Sequence, residues 1–184
     1  MMTLPRTPPA KGHDFAPEML HQALQRWFEI VNASFVNSGA STTRSVASIL
    51  ESDLDATIHY WMALVEPEDE LACYRLSVHD RVGQLPQLLR DLIYRLRHPA
   101  VTTLSAAANQ HGELRRLQGY TPPMLVEEWR ILEVSIFTTI QNNLFCVDFR
   151  QLLLDALTIA DECDSQLKQA LLGYVDTVAA WSVA

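Results

Sequence analysis

Residues 109–129, NQHGELRRLQGYTPPMLVEEW, decide the expected fold of this chain. A segment with helical periodicity ends at Gly119, and a double proline follows three residues later. Glycine commonly ends a helix because it adopts left-handed backbone angles without steric cost, and proline is favoured in the first turn of a helix. The stretch therefore predicts a helical hairpin, with helices at about 102–118 and 122–145 on either side of the bend.

The same stretch predicts a contact across the hairpin. His111 and Arg115 are four residues apart and share one face of the first helix. Glu128 lies at a comparable height on the antiparallel second helix, so its carboxylate is expected to meet His111 or Arg115. Such a contact contributes about 0–1 kcal/mol when exposed and is more costly to break when buried. Glu127 points about 100° away from Glu128 on a helix, so this pair does not predict a metal site.

The composition favours an all-α fold. The chain has 184 residues, 48% of them hydrophobic, and only six glycines, fewer than the many turns of an all-β fold require. We expect a flexible tail at 1–16 and one domain at 17–184, a bundle of five to seven helices. Besides the hairpin, the predicted helices are 17–37, 43–65 with a cap at Ser41 or Thr42, a short one within 71–83, 86–97 opened by Pro86, and a long C-terminal helix at 148–183.

The charge distribution bears on possible partners. A net charge of −8 argues against nucleic-acid binding, because neutralising phosphates needs clustered lysine and arginine. Between residues 75 and 116, seven arginines stand against three acidic residues, a local balance of +4 that leaves −12 for the remainder. Two interpretations stay open, a solvated helix face and a docking surface for an acidic partner protein.

Cysteine use and hydropathy indicate a cytoplasmic location. Cys73, Cys146 and Cys163 are odd in number and far apart, which is typical of reduced, mostly buried thiols and not of a disulfide framework or a zinc site. No apolar run approaches the roughly 18–20 residues that span a bilayer, so membrane insertion is not expected. The N-terminus lacks an apolar signal core, so export is not expected either.

The last predicted helix carries apolar residues in steps of four and three. Over about 34 residues it would be roughly 50 Å long. Its first half could pack in the core while the second half extends, or it could form a parallel coiled coil in a homodimer, with Asp164 as a polar residue that fixes the register. The residues expected to form this dimer or output seam are Leu157, Asp164, Leu167, Leu171, Tyr174, Val178 and Trp181, preceded by Leu153 and Ala160.

His111 allows two further interpretations besides a packing role. As a surface histidine followed by Arg115 and Arg116, it would be the phosphoacceptor of a histidine phosphotransfer module, since the arginines would balance the phosphate charge. As an axial haem ligand, it would belong to a globin-like sensor. An enzyme is not expected, because the sequence contains no GxSxG, Walker, HExxH or GxGxxG motif. We likewise expect neither a metal nor another cofactor.

The order of residues between His111 and Leu132 resembles the sequence pattern of a known family. The pattern formed by the central residues is similar to HG..R...G[YF]....L..E[YW]..L, which marks the N-terminal sensor domains of RsbT co-antagonist (RsbRD-type) proteins, found also at the front of bacterial sensor histidine kinases. The resemblance covers roughly residues 27–174, and its central 60 or so are distinctive. Trp61 matches a tryptophan that commonly closes the second helix of the family, whereas Glu133 stands where the family often has a basic residue. The matching residues are His111, Gly112, Arg115, Gly119, Tyr120, Leu125, Glu128, Trp129 and Leu132.

The resemblance implies a non-catalytic helical domain that dimerises and regulates a STAS or histidine kinase module through a helix. A signal would change how the helices pack, and the last helix would transmit the change. The residues expected to form the packing hinge are His111, Gly112, Arg115, Gly119, Tyr120, Glu128 and Trp129.

Overall fold

The computed structural model describes residues 43–101 and 104–181, and their side chains as far as Val175. The predicted tail at 1–16 and the predicted helix at 17–37 lie outside these residues. Within the described ranges, no helix is long and apolar enough to cross a membrane. The helices are α1 Val46–Ser52, α2 Leu54–Val65, α3 Asp69–Ala72, α4 Val78–Val82, α5 Leu85–Arg97, α6 Ala106–Leu117, α7 Pro122–Asn142, a 3₁₀ turn at Leu144–Cys146, and α8 Phe149–Trp181.

Serine side chains begin three of these helices. The hydroxyl oxygens of Ser45, Ser77 and Ser105 accept hydrogen bonds from backbone N–H groups three residues later, at 3.1–3.2 Å. Each bond satisfies a donor that the first turn of a helix leaves without an intrahelical partner. The cap of the first described helix is therefore Ser45, and the predicted caps Ser41 and Thr42 lie outside the described residues.

The predicted helix at 43–65 is two helices, α1 and α2, separated at Asp53. The backbone of Asp53 is not helical, and its carboxylate accepts a hydrogen bond of 2.8 Å from the amide of Asn143. The hydroxyl of Ser52 donates to Ile49 O, which is typical of a serine that competes with the helical hydrogen bonds. A distant residue and a local side chain together thus interrupt a pattern that looked continuous.

Other boundaries differ by a few residues from those expected. The hairpin helices run over α6 and α7, so the first begins four residues later than predicted and the second ends three residues earlier. The segment 71–83, expected to hold one short helix, contains the last two residues of α3 and the whole of α4. Pro86 lies in the first turn of α5 as predicted, and Gly119 has a left-handed φ of +90°.

The described residues form the all-α bundle that the sequence predicts. Leu88, Leu89, Leu92 and Ile93 make one apolar face of α5, as expected from their spacing. On α2, Leu64 is 41% exposed although Trp61, three residues earlier, is fully buried. Other fully buried apolar side chains of the core include Ile49, Leu50, Trp61, Leu125, Ile136 and Ile159.

The long helix α8 packs closely against α6. A β-carbon added to Gly112 of α6 would lie 1.8 Å from the carbonyl oxygen of Ala170, and one added to Gly173 of α8 would lie 2.2 Å from Asn109 O. Both distances are far below van der Waals contact, so the two backbones touch where only glycine leaves room. This contact fixes the height at which α8 crosses the hairpin.

Some residues of the predicted seam of α8 are exposed to solvent, and others pack against their own chain. Leu157 is 63% exposed and Asp164 is also exposed. Leu167, Leu171 and Tyr174 are half-buried and pack against the core of their own chain. The last two seam residues, Val178 and Trp181, lie within the helix, and their side chains are outside the described part.

Gly112→Ala is expected to lower the free energy of unfolding by about 2 kcal/mol or more. The overlap with Ala170 O costs more than the roughly 1 kcal/mol that alanine gains over glycine in a helix. Urea unfolding followed by circular dichroism measures the change, with Gln110→Ala, an exposed position of the same helix, as the control. Equal stability of the two variants would contradict the close backbone contact.

Candidate functional site

His111, Arg115 and Glu128 form a buried charged cluster between α6 and α7. Nε2 of His111 lies 3.1 Å from Glu128 Oε2, and Nε of Arg115 donates to both carboxylate oxygens at 3.0 and 2.9 Å. A second guanidinium nitrogen of Arg115 donates to Glu128 Oε1 at 2.6 Å. The three side chains are 1%, 0% and 2% exposed. The contact that the sequence predicts across the hairpin is present, and it is fully buried.

Arg115 also ties the cluster to α4. Its guanidinium donates to the backbone carbonyl of Asp80 at 3.0 Å, to that of Arg81, and to the amide oxygen of Gln118 at 2.7 Å. The guanidinium carbon lies 5.1 Å from the centre of the Tyr120 ring, within the range of a cation–π interaction. One side chain therefore links α4, α6, α7 and the bend between the hairpin helices.

Two buried tryptophans lie beside the cluster. Trp61 of α2 is 0% exposed, and its indole N–H donates to the backbone carbonyl of Glu128 at 3.4 Å. Trp129 is 4% exposed and contacts the His111 ring edge to face, with 5.2 Å between ring centres. These rings exclude water from the cluster, so the charges inside interact in a medium of low polarity.

The cluster keeps Glu128 ionised despite its burial. Burial alone would raise the pKa of this carboxyl group, but the attraction and hydrogen bonds of His111 and Arg115 outweigh it, so the pKa of Glu128 lies below its ordinary value. One carboxylate and one guanidinium balance each other. A buried pair of this kind stabilises little in total, but removing one partner leaves an uncompensated charge.

The bend connects the hairpin to α8. Tyr74 donates to the carbonyl of Gly119 at 2.7 Å, and Tyr174 of α8 donates to the carbonyl of Tyr120 at 2.9 Å. Tyr120 is 2% exposed, and burial, followed by the nearby Glu128 charge, raises the pKa of its hydroxyl. All seven predicted hinge residues thus lie at this cluster, at the bend or at the contact between α6 and α8.

The geometry bears on the other interpretations of His111. A phosphoacceptor must meet a phosphodonor, whereas His111 is 1% exposed and its Nε2 faces Glu128. The same nitrogen would be needed by an iron atom in a haem-binding site. Both interpretations require the cluster to open first. Within the described ranges, no group of three or more His, Cys, Asp and Glu side chains is arranged to hold a metal ion.

Several arginines of the segment 75–116 form hydrogen bonds or ion pairs within their own chain. Arg81 and Arg115 are buried, while Arg95 and Arg97 form ion pairs with acidic side chains of α8 and α1. Arg81 donates to two backbone carbonyls that precede α4, at 3.1 and 2.8 Å. The local excess of positive charge therefore serves intramolecular contacts to a large extent, which weakens the docking interpretation.

The prediction of mostly buried thiols is wrong for two of the three cysteines. Cys73 is exposed, Cys146 is partly exposed, and only Cys163 is buried. Burial raises the pKa of the Cys163 thiol to about 12, so this group is protonated and unreactive at neutral pH. All three are free thiols, as expected.

Sequence reasoning missed a second buried polar group, on α8. Glu162 and Gln166 are 5% and 2% exposed, and the amide of Gln166 donates to Glu162 Oε1 at 3.0 Å and to Leu88 O at 3.1 Å. Burial raises the pKa of Glu162. The sequence contained one indication of this burial, because Glu162 and Gln166 share a face of α8 with the apolar residues Ile159 and Ala170.

Comparison of the chain with known protein families, with curated proteins and with solved structures finds no match.

Glu128→Gln is expected to lower the free energy of unfolding by about 3–5 kcal/mol, because it leaves the Arg115 guanidinium buried without a carboxylate. Glu127→Gln is the matched control. That neighbouring glutamate pairs with Arg130 at the surface, where solvent screens the pair and its loss costs little. Urea denaturation of both variants tests the difference, and similar midpoints would contradict a charged, buried cluster.

The lowered pKa of Glu128 predicts a loss of stability in acid. In the unfolded chain the carboxyl group titrates near its ordinary pKa of about 4.3, whereas the folded cluster holds it ionised to lower pH. At a pH between the folded and the unfolded pKa of Glu128, the unfolded chain binds a proton that the folded chain does not. The stabilisation present above about pH 4.3 is therefore lost as the pH falls. The stability difference between the wild type and Glu128→Gln should therefore shrink between about pH 5 and pH 3. A difference that stays constant would show that the carboxylate pKa is not lowered by folding.

Proposed function

We propose that this chain is a non-catalytic bacterial sensory domain that dimerises and regulates a STAS or histidine kinase module by helix repacking. The signal shifts the packing of α6 and α7 at the cluster of His111, Arg115 and Glu128. The long helix α8 carries the shift to the partner. The cytoplasm is the compartment in which such a partner would be met.

The observation that carries this proposal is the continuity of contacts from the cluster to α8. His111 touches Glu128 of α7 at 3.1 Å, and the next residue, Gly112, lies against the backbone of Ala170 in α8. Neighbouring residues on a helix point about 100° apart, so α6 contacts both helices at the same level. A displacement of α6 at the cluster is therefore a displacement against α8.

The cluster suits a two-state element. Its charges are fully buried, so intermediate positions would leave a carboxylate or guanidinium partly unpaired at a cost of several kcal/mol. Packed interfaces of this kind favour discrete arrangements over continuous deformation. A signal that favours one arrangement by a few kcal/mol is enough to exchange the populations.

The resemblance to RsbRD-type sensor domains supports the same assignment independently of the contacts. The residues of its pattern that lie in α6, the bend and the start of α7 are those that build the cluster, the left-handed bend and the glycine contact. The partner class, STAS or histidine kinase, rests on this resemblance alone.

His111→Ala and His111→Gln form a matched pair that tests the proposal. Glutamine can still donate to Glu128, whereas alanine cannot, so His111→Ala should keep its helix content by circular dichroism but alter regulation, and His111→Gln should alter it less. The readout is autophosphorylation of histidine kinases of the same organism with labelled ATP, each mixed in turn with the full chain, and binding of the chain to its STAS-domain proteins.

Two results would overturn the proposal. Equal loss of folding in both variants, without a selective effect on a partner, would leave His111 with a structural role only. Acid-labile phosphate on His111 after incubation with a kinase would indicate phosphotransfer chemistry instead.

A further inference from the structure

The first half of α8 exposes apolar side chains on the face opposite the core. Phe149, Leu153, Leu154 and Leu157, here called the Leu153 patch, are 51%, 72%, 58% and 63% exposed. Leu153 is four residues from both Phe149 and Leu157, and Leu154 is three residues from Leu157, so these side chains are neighbours on the helix surface. Together they expose on the order of 400 Å² of apolar surface, which is the size of the largest patch on a typical monomer, and such patches are often functional.

We propose that the Leu153 patch binds a second copy of this chain, with the two α8 helices antiparallel about a twofold axis level with Asp155. The inference rests on the dimer of the proposed function and specifies its interface. The carboxyl group of Asp155 itself is directed towards the backbone of Val46 in α1 and stays out of the contact.

This register pairs the apolar side chains with one another. Leu153 lies opposite the partner's Leu157, and Leu157 lies opposite the partner's Leu153. The symmetry thus makes the same contact twice, which is the isologous complementarity that a twofold interface requires.

Charge complementarity selects the antiparallel direction. Arg150 is exposed and forms no ion pair with the residues that the structure describes, while Asp161 is 70% exposed and contacts Arg95 through one oxygen. In the antiparallel register, Arg150 lies within one residue of the level of the partner's Asp161, and the symmetry makes this pair twice. In a parallel coiled coil, Arg150 and Asp164 would both lie at seam positions and face the same charge in the partner, which opposes association.

The amount of apolar surface indicates a dimer of moderate affinity. Two patches of about 400 Å² supply roughly half of the 1,600 Å² that a standard interface buries, and the charged flanks with Arg150 and Asp161 add to it. The interface uses α8 only as far as residue 161. The second half of α8, which contacts Gly112 and Tyr120, takes no part in the proposed interface.

Sedimentation velocity of the full chain over a range of concentrations tests the proposal. Arg150→Glu and Asp161→Arg should each raise the dimer dissociation constant about tenfold or more, because two attractive pairs become repulsive. The double variant should restore most of the affinity. Lys168→Glu, the same charge change at an exposed position of the same helix, should leave the constant within about twofold.

A distance measurement then fixes the direction of the helices. A spin label on Lys168→Cys, with Cys73 and Cys146 replaced by serine, should give an axial separation of about 39 Å in the antiparallel dimer. In a parallel pair the separation would be under about 20 Å. A short distance, or a dimer indifferent to Arg150→Glu, would overturn the proposed interface while leaving a dimeric sensor possible. A chain that is monomeric at all concentrations and has no effect on any kinase would overturn the proposed function as well.

Discussion

The placement of the hairpin helices depends on one carboxylate. Glu128 is ionised at 2% exposure, and an ion of this size loses several kcal/mol of hydration when it is buried. Only donors at hydrogen-bonding distance can offset that loss, and His111 and Arg115 supply them from a single face of α6. Any register in which α6 slides by one turn would remove both donors together. The cluster therefore contributes little net stability but excludes other packings of the hairpin.

The constraint extends to α8 through the geometry of α6. Once His111 and Arg115 must face Glu128, the neighbouring Gly112 must face α8, and the absence of a side chain lets Ala170 approach the backbone. A larger residue would push α8 away from its position beside the bend, where Tyr174 donates to Tyr120 O. Electrostatics on one side of α6 and sterics on the other thus determine one arrangement of three helices.

The sequence predicts well what depends on local spacing. The left-handed Gly119, the start of α5 at Pro86 and the contact of Glu128 with Arg115 all follow from helical periodicity and turn chemistry. The break at Asp53 involves a hydrogen bond with Asn143, 90 residues away, so it could not be predicted from the local sequence. The seam of α8 is not decided by spacing, because steps of four and three suit both a coiled coil and the edge of an intramolecular core, and Leu167 lies at such an edge.

The two halves of α8 consequently have different environments. Residues up to Leu157 expose an apolar face to solvent, while residues from Ile159 onward bury a face against α5, α6 and the bend. Leu157 and Ala170 are separated by about 20 Å of continuous helix, with no glycine or proline between them. A helix without such residues bends little, because each carbonyl keeps its intrahelical hydrogen bond. A shift imposed at Ala170 by Gly112 must therefore reach Leu157 as a rigid displacement or rotation, and a surface bound at Leu157 would register it without any contact with the cluster itself.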